Sequence, residues 1–542
     1  MNNREVAKSF SLLGKLMELH DESPFKSKSY VNAYLSIRKL TTPVFEMEVE
    51  ELQSMRGIGK AITEKIIELK NTGQLSLLNE YIDMTPAGVV EMLGIKGLGP
   101  KKIKTVWKEL GVESPGELMY ACSENRLVEL SGFGAKTQST VLKQLEYFME
   151  SKGKFLYARI LPDALEILEI FQNQYSESLI DFCGDLDRKM PVVSELKFIT
   201  SIPEEDINSF IESNDRLNYT NGQFLYNDIP FTLEFVDDQS FVASKFLMSG
   251  SDDFIDDILE QFGPIEEIFE EEEIFDALEI AYIPSECREN PVIIQRAEAG
   301  ELSLIQEDQI KGLIHNHSTY SDGMNSLEDM ANAAKEKGFE YMLISDHSKA
   351  AFYANGLEIE RVILQWAEID KLNEQWDDFK IFKGIESDIL NDGSLDYPDD
   401  ILSGFDCVIS SVHTNLKMDI SKAMARLIKA IENPHTRILG HPTGRLLLSR
   451  EGYPIDHEKI IDACVANEVV IELNANPLRL DIDWRWIEYI MNKDGMISIN
   501  PDAHSIDGID DIKYGVIAAR KGGLMPEYCL NIFNLSDFES WI

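Results

Sequence analysis

A multidomain fold is predicted: an all-α region over residues 1–150, an α+β region over 151–300 and a (β/α) barrel over 312–542. Three observations predict it. The chain has 542 residues, more than one ordinary core accommodates. A Gly-x-Gly turn between helical stretches recurs three times in the first 150 residues. Seven short apolar runs alternate with helical stretches from residue 312 onward. Hydrophobic residues at 44% and charged residues at 27% supply enough apolar surface for several cores and exclude a disordered chain.

The helical region is read from its repeats. The copies are Arg56-Gly57-Ile58-Gly59-Lys60, Lys96-Gly97-Leu98-Gly99-Pro100-Lys101-Lys102 and Ser131-Gly132-Phe133-Gly134-Ala135-Lys136. Glycines let the backbone turn tightly, and amides at the next helix N-terminus can approach a phosphate. A lone Gly-x-Gly is an ordinary turn. Three copies, each with an apolar residue before and a lysine after, predict helix–hairpin–helix units that touch a nucleic-acid backbone. The candidate contacts are Gly57, Gly59, Lys60, Gly97, Gly99, Lys101, Lys102, Gly132, Gly134 and Lys136. The second copy is the most basic, with Lys96, Lys104 and Lys108 beside its two turn lysines.

Charge separates this region from the rest. Residues 1–155 carry 21 Lys/Arg and 20 Asp/Glu; residues 156–311 carry 9 and 36; residues 312–542 carry 21 and 39. Phosphate backbones are held by cations, so only the first region suits nucleic acid and the middle should repel it. In the middle, Leu179–Cys183, Leu196–Thr200 and Phe231–Val236 read as strands. The run Glu266–Glu273 reads as a solvated acidic face, and 297–311 as a polar connector. Six scattered cysteines without a CxxC spacing indicate neither a disulfide framework nor a thiolate zinc site. No apolar run spans a bilayer and the N-terminus lacks a signal peptide's apolar core, so a cytoplasmic protein without membrane partners is expected.

From residue 312 the predicted strands are Gly312–Ile314, Tyr341–Ser345, Lys380–Ile385, Cys407–Val412, Arg437–Leu439, Val469–Leu473 and Met496–Ile499. Barrel enzymes carry their reacting groups at the C-terminal strand ends. There stand His315 and His317 followed by Asp322, then Asp346 and His347, Glu386, His413, His441 with Arg445, and Asp502 with His504. Alternation along a strand turns His315 and His317 the same way, within reach of one ion. Imidazoles with carboxylates suit manganese, zinc or iron, and Glu386 can bridge two ions. The six histidines with Asp322, Glu386 and Asp502 at strand ends therefore predict a metal cluster. Asp346 and Arg445 are the candidate catalytic groups, Arg445 as a phosphate clamp or, equally, as half of a structural salt bridge. His435 and His457 lie away from strand ends and are read as non-ligands.

In this order, His315-Asn-His317, Ser321-Asp322-Gly323, Asp346-His347-Ser348, Gly384-Ile-Glu386, Ser411-Val-His413, Gly440-His441-Pro-Thr-Gly-Arg445 and Asp502-Ala-His504 resemble the polymerase-and-histidinol-phosphatase (PHP) domain. The resemblance implies a distorted (β/α)7 barrel, metal-dependent phosphoesterase activity and up to three divalent ions. It assigns His315, His317, Glu386 and Asp502 to one ion, Glu386, His413 and His441 to a second, and Asp322, His347 and His504 to a third.

The whole chain is similar to the bacterial family-X DNA polymerases, which implies a nucleotidyltransferase-like middle domain. Family members carry Gly-Ser-x-Arg-Arg, then Asp-x-Asp, then a third Asp on a nearby strand. Here Gly184-Asp-Leu-Asp-Arg-Lys189 replaces the first, Glu195-Leu196-Lys197 the second and Thr232 the third; Asp185 with Asp187 is the alternative metal pair. A protonated lysine cannot ligate magnesium. The expectation is a metal-dependent 3′–5′ exonuclease acting on single-stranded or gapped DNA in repair, on a polymerase-like scaffold without nucleotidyl transfer. The alternatives are an active family-X polymerase with an associated exonuclease, or a small-molecule phosphatase of the histidinol-phosphate type.

Overall fold

A computed structural model describes every residue except 2, 41, 96, 129, 151, 152, 221, 228, 266 and 267, and leaves the side chains of 4, 147 and 150 undescribed. Lys96 of the second repeat and Glu266 and Glu267 of the acidic run thus lie outside the described residues. The chain forms two compact units, Met1–Phe148 and Met149–Ile542.

The first unit is helical among its described residues. Its opening helix, Asn3–Leu19, buries Val6, Phe10, Leu13 and Met17, spaced three to four apart so that one stripe faces the helix Pro24–Ile37. Each repeat has the same geometry. The first glycine is left-handed, with φ +88° at Gly57, +86° at Gly97 and +85° at Gly132, a region open to glycine and costly for side chains with a Cβ. The second glycine directly precedes the next helix: Lys60–Thr72, Pro100–Leu110 or Ala135–Glu150. Ile58 and Leu98, between the glycines, are buried and anchor the first two turns.

In the second unit a two-residue strand pair, Phe155–Leu156 with Val192–Val193, and the helix Tyr157–Gln174 accompany a five-stranded sheet. Its strands are β1 (Ile180–Phe182), β2 (Lys197–Thr200), β3 (Leu217–Thr220), β4 (Gln223–Tyr226) and β5 (Ile229–Phe235), in the order β1-β2-β5-β4-β3. Only β2 and β5 run parallel, pairing Lys197 with Thr232. Phe171, Phe198 and Phe231 meet edge-on over this sheet and form its core.

Seven strands follow, β6 (Gly312–Asn316), β7 (Tyr341–Ile344), β8 (Lys380–Asp388), β9 (Cys407–Ser411), β10 (Thr436–Leu439), β11 (Val470–Asn474) and β12 (Ile497–Asn500). All are parallel and hydrogen-bonded in sequence order. The bridge between Asn316 and Ala503 brings the last strand back to the first, so the sheet nearly closes into the expected (β/α)7 barrel. The segment 297–311 is not the plain polar connector expected: Ile305 and Ile310 are buried in the barrel core, and Ile305 N–H donates to the Leu524 carbonyl.

Charge locks the sheet module onto the barrel. Lys521, at the end of the helix Ile512–Lys521, is buried and donates to the Arg188 and Glu286 carbonyls and to Glu289 at 2.7, 3.1 and 2.9 Å. Arg520 donates to Glu286, while Arg188 and Lys189 pair with Glu289 and Glu286. A buried ammonium is tolerated because every proton has an acceptor. No described helix is long and apolar enough to cross a membrane.

Candidate metal centre

The barrel's strand ends converge on one buried cluster. Glu386, at the middle of it, has Oε1 3.0 Å from His441 Nε2, 3.1 Å from His413 Nε2 and 3.4 Å from His315 Nε2. Its other oxygen lies 2.8 Å from His347 Nδ1 and 3.8 Å from His317 Nε2. Asp502 Oδ1 is 3.0 Å from His317 and 3.5 Å from His315. Asp322 faces His347 at 3.6 Å and His504 at 3.4 Å. The His317 and His504 rings stack at 4.1 Å.

Within the barrel, candidate ligand atoms collect into three overlapping groups among the described residues, each within 4.8 Å: His317, Asp322, His347 and His504; His315, His317 and Asp502; His347, Glu386 and His413. This division differs from the family assignment. His317 and His347 are each shared between two groups, Glu386 is not in the compact group of His315, His317 and Asp502, and His441 meets Glu386 without joining a compact group.

The approach of His315 and His317 does not come from plain alternation. The β6 pairing shifts register between Leu313 and Asn316, and His315 is left-handed at φ +63°. His441 and Asp502 are also left-handed, at +23° and +53°. Such conformations cost about 1–3 kcal/mol each and concentrate where function over-determines the backbone.

Burial opposes charge throughout the cluster, and the partners decide which groups stay ionised. For Glu386 and Asp502 the neighbouring histidines overcome burial and hold the carboxyls well below the ordinary range. For His413, Glu386 and Asp388 overcome burial and push the ring up to about 10. His317 and His441 are lowered, by burial first and then by their neighbours, the His504 and His347 rings for His317 and Arg479 for His441. Nε2 of His315, Nδ1 of His317, Nδ1 of His441 and Oε2 of Glu386 are buried and make no hydrogen bond among the described residues. Unsatisfied buried donor atoms of mixed nitrogen and oxygen type are what divalent ions would ligate, so the residues present fit the expected metals.

Further residues were not legible as site residues in the sequence. Glu472, inside β11, accepts from His315 Nδ1 at 2.5 Å and from the His441 backbone at 2.7 Å. Asp388 lies two positions beyond Glu386 on β8 and 3.2 Å from His413 Nδ1. Acceptors of this kind turn the opposite ring nitrogen toward a metal. The strand period of two was the available signal for Asp388; an isolated acid within an apolar strand was the signal for Glu472.

Both candidate catalytic groups are engaged elsewhere. Asp346 accepts five hydrogen bonds, from the backbones and hydroxyls of Ser318 and Ser321 and from Gln365. It braces the loop that presents Asp322, so its oxygens are occupied by that loop. Arg445 pairs with Asp483 and donates to the Arg479 and Leu480 carbonyls, the structural salt bridge of the two roles the sequence left open. His435 lies 3.7 Å from Asp399, and His457 stacks on Trp486 at 4.6 Å. In the helical unit Lys60, Lys101 and Lys136 are exposed, Lys102 lies over the Phe133 ring, and Lys104 pairs with Asp21.

In the sheet module the residues expected at the polymerase motif, Glu195, Lys197 and Thr232, bond one another and Glu234. Lys197 Nζ lies 3.1 Å from Glu234 and 3.8 Å from Glu195, and Thr232 donates to Glu195 at 2.6 Å. The alternative acids are also occupied: Asp185 accepts from Ser194 and Arg188, and Asp187 lies 3.8 Å from Lys245.

Comparison with known proteins matches this arrangement in order. A helix-hairpin-helix domain matches residues 1–75, a SAM-like helix-hairpin-helix tandem 89–146 and a PHP domain 314–476. Two proteins resemble about 30% of the chain: a probable phosphatase of Caldanaerobacter subterraneus, 28% identical over 60% of its length, and one of Thermoanaerobacter, 31% identical over 62%. The DNA polymerase/3'-5' exonuclease PolX of Bacillus subtilis is 34% identical across all of this chain and 99% of its own. With helix-hairpin-helix units, sheet module and PHP barrel in one chain and likeness from end to end, the protein belongs to the PolX family.

Proposed function

We propose that this chain is a divalent-metal-dependent 3′–5′ exonuclease acting on DNA ends in repair, and that its polymerase module no longer transfers nucleotides. The carrying observation is a contrast: a complete, buried ligand set in the barrel, against an ammonium at the aligned polymerase position. Ions held by the nine ligands would supply activation of water and neutralisation of charge on the phosphoryl and leaving oxygens. His315, His317, His347, His413, His441 and His504, with Asp322, Glu386 and Asp502, are the residues that hold them. Glu472 and Asp388 orient His315 and His413, and Asp346 holds the Asp322 loop.

The helical unit supplies the grip. Amides beside Gly59, Gly99 and Gly134, with Lys60, Lys101, Lys102 and Lys136, suit a phosphate backbone irrespective of sequence. The relative's name includes polymerase, which favours the opposite reading of the middle module. Against it stand Glu195, Lys197 and Thr232, where the ammonium of Lys197, already paired with Glu195 and Glu234, takes the place of the second metal carboxylate.

The test is degradation of 5′-labelled single-stranded and gapped DNA with manganese. Stepwise release of mononucleotides from the 3′ end is expected. His315→Ala combined with Asp502→Ala should lower it by at least about 10³-fold. Hydrolysis of small phosphomonoesters alone would make the protein a phosphatase. Primer extension by the wild-type chain should fail, and extension that survives the His315 change would restore the polymerase reading.

A further inference from the structure

A cavity of about 610 Å³ opens on the barrel among residues that follow the ligand His441, and the reading above does not use it. Its wall begins at Thr443, two residues beyond the ligand His441, and continues through Arg445, Arg450 and Tyr453 to His457 and Trp486. Two residues of chain span at most about 7 Å, so the Thr443 backbone stands within roughly that distance of the His441 backbone. Its volume falls in the range of small-molecule sites, roughly 300–1,000 Å³.

Three features define what it accepts. The His457 and Trp486 rings are parallel to within 7° at 4.6 Å, and both are partly exposed, which makes a flat aromatic platform. Arg445 and Arg450 stand on the same wall as Glu451 and Asp483, so its charges are balanced. Arg445 is balanced by Asp483, and Arg450 donates to the Gly444 carbonyl at 2.9 Å. Tyr453 is 6% exposed, and its hydroxyl has no hydrogen-bond partner among the described residues. A stacking surface and a buried hydroxyl on a charge-balanced wall, two residues along the chain from the ligand His441, match an uncharged nucleoside, whose base offers a π face and a polar edge.

We propose that this cavity receives the terminal nucleoside of the strand while its 5′ phosphodiester sits at the ligand cluster, the base lying along the His457–Trp486 stack. The proposal rests on the phosphodiesterase reading. It makes Trp486 and His457 binding residues that are tolerant of base identity, as an exonuclease requires.

Two substrates separate the cavity from the chemistry. Thymidine 5′-(4-nitrophenyl phosphate) carries a nucleoside on the reacting phosphorus; methyl 4-nitrophenyl phosphate does not. The ratio of kcat/KM on the first to the second should fall about 10-fold in Trp486→Ala, the size of one lost base–aromatic stack, and be largely restored in Trp486→Phe. His457→Ala carries the same expectation should Trp486→Ala not fold. In EDTA, saturation-transfer NMR should show thymidine 5′-monophosphate bound to the full chain and weakened about 10-fold by Trp486→Ala. An unchanged ratio, or nucleotide binding that is absent or indifferent to Trp486, overturns the proposal. A wild-type chain that hydrolyses neither ester refutes the phosphodiesterase reading instead, and the binding measurement then decides the cavity by itself.

Discussion

The barrel and the sheet module both gather acids at strand ends, and they differ in what faces those acids. In the barrel, Glu386 is 1% exposed and meets imidazoles from five residues. In the sheet module, Glu195 and Glu234 are 52% and 37% exposed at their side chains and meet the ammonium of Lys197. An imidazole can give up its proton and become a ligand; an ammonium at neutral pH cannot. Carboxylates alone therefore do not make a metal site. The identity of the neighbouring cation separates a site that can exchange protons for metal from one that is already neutralised.

That contrast can be broken first at Glu472. Glu472→Gln removes the acceptor that orients His315 and should weaken manganese binding by about 10–100-fold, as other such acceptors do. Calorimetric titration of the metal measures it. The matching change in the sheet module, Glu195→Gln, should leave metal affinity where it was; a loss of equal size there would mean that both sites bind metal. A smaller effect is expected at Asp346. Asp346→Asn exchanges an acceptor of five hydrogen bonds for a group that is half donor, at a cost of about 2 kcal/mol read as a lower unfolding midpoint. Were Asp346 catalytic instead, DNA cleavage would collapse with the midpoint unchanged.

Much of the barrel was legible because its candidate ligands follow its strands, so six of the seven apolar runs announced a group and Val470–Asn474 did not. What escaped was set by distance along the chain. The partner of Arg445 is Asp483, 38 positions away, and loop closure brings them together with no spacing to read. Asp346 stands next to the ligand His347, and strand alternation turns neighbours to opposite sides. Glu472 sits in the middle of an apolar strand, where a strand-end search does not look. The β3–β4 hairpin passed unnoticed because its outer residues Asn218, Tyr219 and Thr220 are exposed and carry no hydrophobic alternation. The glycine turns were legible from residue types alone, since a left-handed residue before a helix favours glycine.

Lys197 offers the smallest and sharpest test. Burial pulls the pKa of its ammonium down, and Glu234 with Glu195 more than offsets this, so it rises above the ordinary lysine value. A base with a raised folded pKa contributes stability that is fully present below its unfolded value and lost as pH rises through the folded one. Lys197→Met should therefore destabilise the second unit by a roughly constant amount from neutrality to about pH 10, with the difference closing only beyond that. Because Glu234 is more than one-third exposed, solvent screens the pair and the loss should stay below about 1 kcal/mol. Differential scanning calorimetry of the two proteins across this range reads it. A difference that closes near pH 7 would place an imidazole-like titration in the sheet module and erase its distinction from the barrel. A variant that gains manganese binding at Glu195 and Glu234 would show that Lys197 alone keeps the ion out.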